Sequence, residues 1–266
     1  MNIYKQVFKL GLKKAYQYHA NFYLGLISFI FPFTIQYFLW TGLFKASEGK
    51  YVFGYTLYQM LSYVVFACIT TKVISTNFVY EINEDIKNGG LAKYLIRPVD
   101  YFTYNLANYA GEKIGTIITS SIMVFVVCGI FYNIDSNIIS IINIPIFFCT
   151  VMLAIILNFM IFYCISGLGF WMRDASGAIF ITTLVGTIVS GGILPLDIFS
   201  TRVQFLLKLL PFPYTSYFPV SILCNRAGNR DVARGILLQF FWIGVCYFIT
   251  KVIWKIGTEK YVSVGG

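Results

Sequence analysis

The sequence predicts an all-α integral membrane protein with six transmembrane helices, an N-terminal amphipathic helix, a cytoplasmic helix and an outer re-entrant helix pair. Of the 266 residues, 58% are hydrophobic and 12% are charged, whereas soluble domains have roughly 45–50% and about 25%. A soluble core could not bury this much apolar surface and still present a polar exterior. The chain is therefore predicted to form a single transmembrane domain, residues 1–266.

Six uncharged runs are the candidate spans, because a spanning helix needs about 20 predominantly apolar residues. The fourth run is too long for one upright span, so its first part, with Pro145, is expected in a loop or at the interface. The sixth is short, but Arg234 or Lys251 could extend it by snorkelling. The runs are Ala15 to Phe44, Tyr51 to Thr71, Ile114 to Ile134, Ser136 to Met172, Ala175 to Leu196 and Gly235 to Thr250.

Positive charge indicates the orientation. The net charge is +9, but the basic residues are dispersed at the span ends, which argues against nucleic acid as a partner. Lysines and arginines before the first span, between the second and third, and after the sixth place both termini in the cytoplasm under the positive-inside rule. The basic residues from 202 to 234 fall on the outer side and are an exception. The predicted location is the plasma membrane.

Three segments outside the plain spans have distinct patterns. Residues 1–20 are amphipathic at helical spacing, which predicts a helix in the interfacial plane. Residues 80–104 carry acidic and basic groups and predict a helix that Gly89 and Gly90 end, lying across the cytoplasmic face. Residues 195–224 are apolar but interrupted by four prolines, so they predict short re-entrant helices, Ser200 to Leu210 and Tyr214 to Cys224.

The sequence lacks the residues of common catalytic sites. It contains no G-x-x-x-x-G-K-[ST] phosphate loop, so it is not expected to hold ATP itself. With His19 as the lone histidine, a His-based metal cluster is excluded and a Ser-His-Asp triad is improbable. The six cysteines form no C-x-x-C pair and are expected to be buried apolar side chains. We predict no enzymatic activity, no catalytic residue, no metal and no cofactor bound by this chain.

Several strings carry a family resemblance when they are taken in order. The chain reads YHANFYLGLISFIFPFTIQYFLW, NGGLAKYLIRPVDYFTY, SGGILPLDIF, LPFPYTSYFPVSIL and RGILLQFFWIGVCYFITKVIWKIGTEKYVSVGG. Over nearly its whole length it resembles a permease subunit of the ABC-2 class of ATP-binding-cassette exporters. The branch it is similar to has leucine-leucine-arginine-proline after the second span, where this chain has LIRP.

The resemblance implies roles and partners. It implies a second permease chain, identical or paralogous, and separate ABC ATPase subunits that bind ATP and Mg. The helix at 82–91 would couple to the ATPase, and the 195–224 segment would close the outer end of the path for an amphiphilic or hydrophobic substrate. The implied ATPase-coupling residues are Ile82, Glu84, Asp85, Ile86, Lys87 and Leu91. The implied outer gate residues are Pro195, Phe205, Pro211, Pro213, Tyr214, Phe218 and Pro219.

Two other readings of the residues stay open. An ion-coupled secondary transporter would need an acidic group at mid-membrane, for which Glu112 is the one candidate, and internal repeats, which the sequence does not show. A non-transporting membrane scaffold or sensor would not need the re-entrant segment. Glu112 and Lys113 themselves suit either a substrate or proton site or the cytoplasmic end of the third span.

Overall fold

The structure is a computed structural model that describes residues 3–17, 19–47, 51–96 and 99–261, with the side chains of 15–29 and 95 excepted. Within these ranges the fold is helical, and the one β-type pairing is an isolated antiparallel bridge between Val52 and Tyr55. The α-helices are α1 Ile3–Gln17, α2 His19–Ala46, α3 Leu57–Ile74, α4 Phe78–Lys87, α5 Ala92–Leu95, α6 Tyr101–Ile134, α7 Ile144–Ser166, α8 Ser176–Val189, α9 Thr201–Lys208, α10 Tyr217–Leu223 and α11 Asn229–Lys260.

Length and composition make this a multi-pass membrane protein. In the described part of the chain, four helical stretches are long and apolar enough to cross a bilayer: Leu57–Lys87, Tyr101–Ile134, Ile141–Phe170 and Asn229–Lys260. The predicted first span corresponds to α2, a helix of 28 residues with Pro32 inside it. The all-α membrane class is confirmed, whereas the count of six crossings stays a prediction.

The helix boundaries differ from the uncharged runs because caps set them. Thr56 and Gln59 form a capping box, so the second helix begins at Leu57 and not at residue 51. The Asp100 carboxylate accepts a hydrogen bond from the Thr103 amide at 2.9 Å and caps α6, which therefore begins well before residue 114. The expectation that Pro145 lies in a loop is wrong: it lies in the first turn of α7, where a missing amide hydrogen costs nothing. Its place at the interface stays a prediction.

The fifth predicted span ends early. Helix α8 has 14 residues, which is about 21 Å of helix, shorter than a hydrocarbon core of about 30 Å. A turn at Ser190–Gly192 follows, with Gly191 at a φ of +76° that favours glycine. The Tyr63 hydroxyl donates to the Gly191 carbonyl at 2.7 Å, so this turn is fixed against α3.

Helix α3 lies at the centre of the bundle. The most apolar window of its stretch is 67% buried, compared with 17% for the corresponding windows of α6 and α11. Where α3 leads into α4, aromatic rings fill the space between α4, α6 and α7: Phe78 lies 4.8 Å from Phe159 and 5.3 Å from Tyr109, between ring centroids. Helices α6 and α11 consequently turn most of their apolar surface outward, as lipid-facing helices do.

The bundle has two distinct ends. Helix α4 lies at one, with the start of α6 and the last turns of α7 and α11, since Tyr101 packs on Trp254 and Trp254 stacks on Tyr163. Helix α10 lies at the other, with the start of α7, because the Ser140 amide donates to the Leu223 carbonyl at 3.2 Å. We call these the α4 end and the α10 end.

Candidate coupling segment and membrane cavity

Helix α1 is joined to α6 by direct backbone contact. Gly11 and Gly111 face each other, and a Cβ atom at Gly111 would overlap the Phe8 carbonyl of α1. Glycines allow two helices to approach this closely. The helix predicted at 1–20 is thus present over Ile3–Gln17 and is packed along α6, while its position in the interfacial plane stays a prediction.

Lys14 connects α1 to two other helices. Its Nζ lies 3.2 Å from Glu112 Oε1 of α6 and 3.8 Å from Glu81 Oε1 of α4. Burial lowers the pKa of Lys14, but Glu81 and Glu112 outweigh that effect and raise it above its usual value. Glu112 also accepts a hydrogen bond from Asn108 at 3.0 Å. Glu112 is therefore engaged in an ion pair that joins helices.

The apolar face of α4 is buried within this chain. Ile82 and Leu91 are completely buried and Ile86 is 6% exposed. Three of the predicted coupling residues therefore hold the segment in place and present nothing to a partner.

A buried amide fastens α4 to the loop between α7 and α8. Asn83 is 1% exposed, its Nδ2 donates to Ser176 Oγ at 3.2 Å, and its Oδ1 accepts from the Ala175 amide at 3.3 Å. Its neighbour Lys87 donates to Asp174 Oδ2 at 2.8 Å. The hydrogen bond from Lys87, with those from the backbone and side chain of Ser176, lowers the pKa of Asp174. Helix α4 and the α7–α8 loop thus form one unit.

The remaining polar coupling residues differ in exposure. Asp85 Oδ2 accepts from the Tyr101 hydroxyl at 2.8 Å, and its Oδ1 lies 3.4 Å from Lys93 Nζ. Glu84 is exposed and accepts a hydrogen bond from the neighbouring Asn88 side chain at 2.7 Å. Glu81 is likewise exposed. Glu81 and Glu84 form what we call the acidic face of α4.

Two buried side chains hold the linker from α3 to α4. Lys113 is 8% exposed and donates to the Ser75 carbonyl, while Asn158 Nδ2 donates to the Ile74 carbonyl at 2.6 Å. The last carbonyls of a helix lack partners within it and favour positive charge nearby. Lys113 therefore ends α3 and joins it to α6, a role that the sequence analysis did not assign.

A cavity of about 240 Å³ opens beside this linker, between α3, α7 and α8, with Phe212 and Thr215 closing it toward the α10 end. We call it the neutral cavity because no charged residue lines it. The Thr71 and Thr76 hydroxyls are buried there and have no hydrogen-bond partner in the part of the chain that the structure describes. The lining residues are Thr71, Ile74, Ser75, Thr76, Asn77, Tyr80, Asn158, Phe162, Thr183, Gly186, Thr187, Ser190, Phe212 and Thr215.

The predicted gate residues divide into two groups. Tyr214 and Phe218 are each 7% exposed, their rings are 6.1 Å apart, and Pro195, Pro213 and Pro219 are buried as well. Pro211 is half-buried. Phe205, on α9, is 66% exposed and lies apart from them. The two predicted short helices are present as α9 and α10.

Gln239 of α11 holds the segment before α10 in place. It is completely buried, and its Nε2 donates to the Tyr214 carbonyl at 2.9 Å and to the Thr150 carbonyl of α7 at 3.0 Å. These two hydrogen bonds join α11 to α7 and to the short turn before α10.

The most polar contact near the α10 end was missed by sequence reasoning. Asp197 accepts hydrogen bonds from the Tyr55 hydroxyl and, at 2.7 Å, from the Tyr217 hydroxyl. Burial and the nearby carboxylate raise the pKa of Tyr55, so Tyr55 remains a donor. The Arg226 guanidinium lies 4.0 Å from the Tyr55 ring centroid and donates to the Gly54 carbonyl at 2.9 Å. A single carboxylate inside an apolar run was the available signal. We call Asp197, Tyr55 and Tyr217 the Asp197 cluster.

These helices, with a polar cavity inside an apolar bundle, are those of a multi-pass membrane protein. The family model described as ABC-2 family transporter protein matches residues 29–265. The chain therefore belongs to the ABC-2 transporter family, and the resemblance stated from the sequence is confirmed. No curated protein matches the chain.

Proposed function

We propose that this chain is the permease subunit of an ATP-driven exporter. It crosses the plasma membrane six times with both termini in the cytoplasm, pairs with a second permease chain, and is driven by separate ABC ATPase subunits that hold ATP and Mg. It hydrolyses no ATP itself. Its cargo is an amphiphilic or hydrophobic molecule that moves outward.

The continuity between α4 and the neutral cavity carries this proposal. The linker residues Ser75, Thr76 and Asn77 line the cavity, and α4 begins directly after them at Phe78. A displacement of α4 therefore acts on the cavity wall without an intervening flexible loop. The acidic face of α4 is the part left outward once Ile82 and Ile86 are buried, and it offers negative charge to a basic groove on an ATPase.

The cavity lining supports an amphiphilic cargo. Threonine and serine hydroxyls can hydrogen-bond an uncharged polar group, while Ile74, Phe162 and Phe212 offer apolar contacts. Sites of this kind combine apolar walls with a few polar groups that fix orientation. The α10 end supplies the closure in this proposal, since Phe212 and Thr215 line the cavity and belong to the segment directly before α10.

Ion coupling receives no support from Glu112. An ion-coupled carrier needs an acidic group that exchanges its partner during the cycle. Glu112 pairs with Lys14 and accepts from Asn108, which is a structural engagement between α1 and α6.

The test uses the purified subunit with and without a separate ATPase chain. ATP hydrolysis should be absent from the subunit alone and should appear on assembly. Reversing the charge at Glu84, as Glu84→Lys, should weaken association with the ATPase by about 1–2 kcal/mol, roughly fivefold to thirtyfold, because attraction is replaced by repulsion. Glu84 is preferred to Asp85, whose carboxylate is bound by Tyr101 and Lys93.

The matched control is Asp231→Lys. Asp231 is an exposed acid in the first turn of α11, at the α10 end, so its reversal should leave association unchanged. Hydrolysis by the isolated chain, or equal association of the Glu84→Lys and Asp231→Lys variants, would contradict the proposal.

A further inference from the structure

A second cavity is separate from the neutral cavity. It has a volume of about 430 Å³ and lies at the α4 end, between the first turn of α6, the last turns of α11 and the segment after α4. We call it the lysine–aromatic cavity. It forms where the apolar part of α11 gives way to charged residues, which is the level of the lipid headgroups.

One wall of this cavity is aromatic. Trp254 stacks on Tyr163 with 4.7 Å between ring centroids, and Tyr101 lies 5.5 Å from Trp254. The indole Nε1 of Trp254 donates to the Tyr163 carbonyl at 3.3 Å, which fixes the ring plane. Tryptophan and tyrosine are enriched at the headgroup level because they present an apolar body and a polar edge.

The same helix, α11, also contributes basic residues to the lining. Lys251 and Lys255 lie one helical turn apart on α11 and are exposed, and neither belongs to a salt bridge within the described residues. Lys251 Nζ lies 5.4 Å from the Tyr247 ring centroid. Asp100 is the one acidic residue of the lining, and its carboxylate already caps α6 through the Thr103 amide.

We infer that the lysine–aromatic cavity binds the phosphate of an anionic phospholipid headgroup. Lys251 and Lys255 meet the phosphate, and the rings of Trp254 and Tyr101 pack on the glycerol and the upper acyl chain. Basic pockets between transmembrane helices at the headgroup level bind anionic lipids. An exposed lysine pair with no carboxylate partner, beside fixed aromatic rings, supplies both the charge and the apolar contact.

The bound lipid would contact the coupling segment. Tyr101, whose ring forms part of the wall, donates its hydroxyl to Asp85 at 2.8 Å, and Tyr94 lies 4.7 Å from Tyr101 between ring centroids. The headgroup would thus brace the residues that hold the end of α4. Binding itself does not depend on the proposed transport function.

The experiment measures lipid retained by the purified full-length chain. The chain is equilibrated in micelles with equal amounts of phosphatidylglycerol and phosphatidylcholine of the same acyl chains, and bound lipid is counted by native mass spectrometry. Phosphatidylglycerol should be preferred. Each lysine near an anionic group contributes about fivefold to binding, so Lys251→Gln/Lys255→Gln should lower retention by roughly 25-fold.

Controls separate the site from general surface charge and from misfolding. Lys260→Gln removes an exposed lysine of the same helix that does not line the cavity, and it should leave retention unchanged. Lys251→Arg/Lys255→Arg keeps both charges and should retain the lipid, which shows that substitution at these two positions does not by itself abolish binding and that the missing charge accounts for the loss in the glutamine pair.

Three results would overturn the inference. The first is equal retention of the two lipids by the wild-type chain. The second is a glutamine pair that retains phosphatidylglycerol as well as Lys260→Gln does. The third is displacement of phosphatidylglycerol by inorganic phosphate at the same concentration, which would make this a site for free phosphate. The binding measurement needs no ATPase, so its failure is distinguishable from failure of the proposed transport function.

Discussion

Removing the Tyr55 hydroxyl should destabilise the α10 end. Tyr55→Phe deletes the donor to the Asp197 carboxylate and keeps the ring that packs under Arg226. A hydrogen bond to a charged group contributes about 1.5–3 kcal/mol. Because Tyr55 is 1% exposed, water cannot readily replace the lost donor. We therefore expect a loss of about 2 kcal/mol in the free energy of unfolding.

Tyr217→Phe tests the same carboxylate from the other side. Tyr217 donates to Asp197 Oδ1 at 2.7 Å, so the single variant should cost a similar amount. The double variant with Tyr55→Phe should differ from the sum of the two singles by about 0.5 kcal/mol or more, since both hydroxyls share one carboxylate. Additive behaviour would show that the two tyrosines act independently.

The assay is equilibrium unfolding of the purified chain in mixed micelles. The matched control is Tyr58→Phe, because Tyr58 is 51% exposed and lies on the first turn of α3, close to Tyr55. The Tyr58→Phe substitution should lower the free energy of unfolding by less than about 0.5 kcal/mol.

The pKa of Tyr55 is raised, so at any pH below the ordinary tyrosine pKa of about 10 the Tyr55 hydroxyl stays protonated. The cost of Tyr55→Phe should therefore be constant from neutral to mildly alkaline pH. A cost no larger than that of Tyr58→Phe would refute the Asp197 cluster as a stabilising contact.

Two further substitutions test the α4 end. Gly111→Leu should detach α1 from α6, because the new side chain meets the Phe8 carbonyl, and trypsin should then cleave within α1 faster. The control is Gly129→Leu, whose side chain would point into open space and should leave the cleavage rate unchanged. Asn83→Ala should lower the free energy of unfolding by about 1–3 kcal/mol, since it leaves buried partners of the α7–α8 loop unpaired. In the same micelle assay the exposed Asn88→Ala should cost less than about 0.5 kcal/mol, and equal costs at the two positions would contradict the fastening of α4 to that loop.

Hydropathy alone predicted much of the helical framework. The positions of α6, α7 and α11 follow from uncharged runs, because a helix that crosses the bilayer must be long and predominantly apolar. The starts of α3 and α6 did not follow from charge: Thr56 and Asp100 set them by capping, which depends on local hydrogen bonds. The short α8 was missed because the apolar run continues past Val189 through a turn that is itself uncharged.

The polar contacts were less predictable than the helices. Lys113 and Ser75, or Asn83 and Ser176, are far apart in the chain, and no local pattern pairs them. The shared burial of Ile82 and Ile86 could have been predicted from their spacing, since residues four apart lie on the same face of a helix. The outward position of Glu84 follows from the same spacing.

The length of α8 links the α10 end to membrane thickness. The helix reaches about 21 Å, less than a hydrocarbon layer of about 30 Å. The turn at Ser190 that ends it is held by the Tyr63 hydroxyl and by the amide of Tyr217, which donates to the Ser190 carbonyl at 2.8 Å. Bilayers adjust to such mismatch by thinning locally, at fractions of a kcal/mol per ångström. Shorter acyl chains would bring headgroups and water toward Ser190, and longer chains would bury the turn more deeply. Acyl-chain length is thereby a variable to which the α10 end should respond, while the long α6 and α11 need only change their tilt.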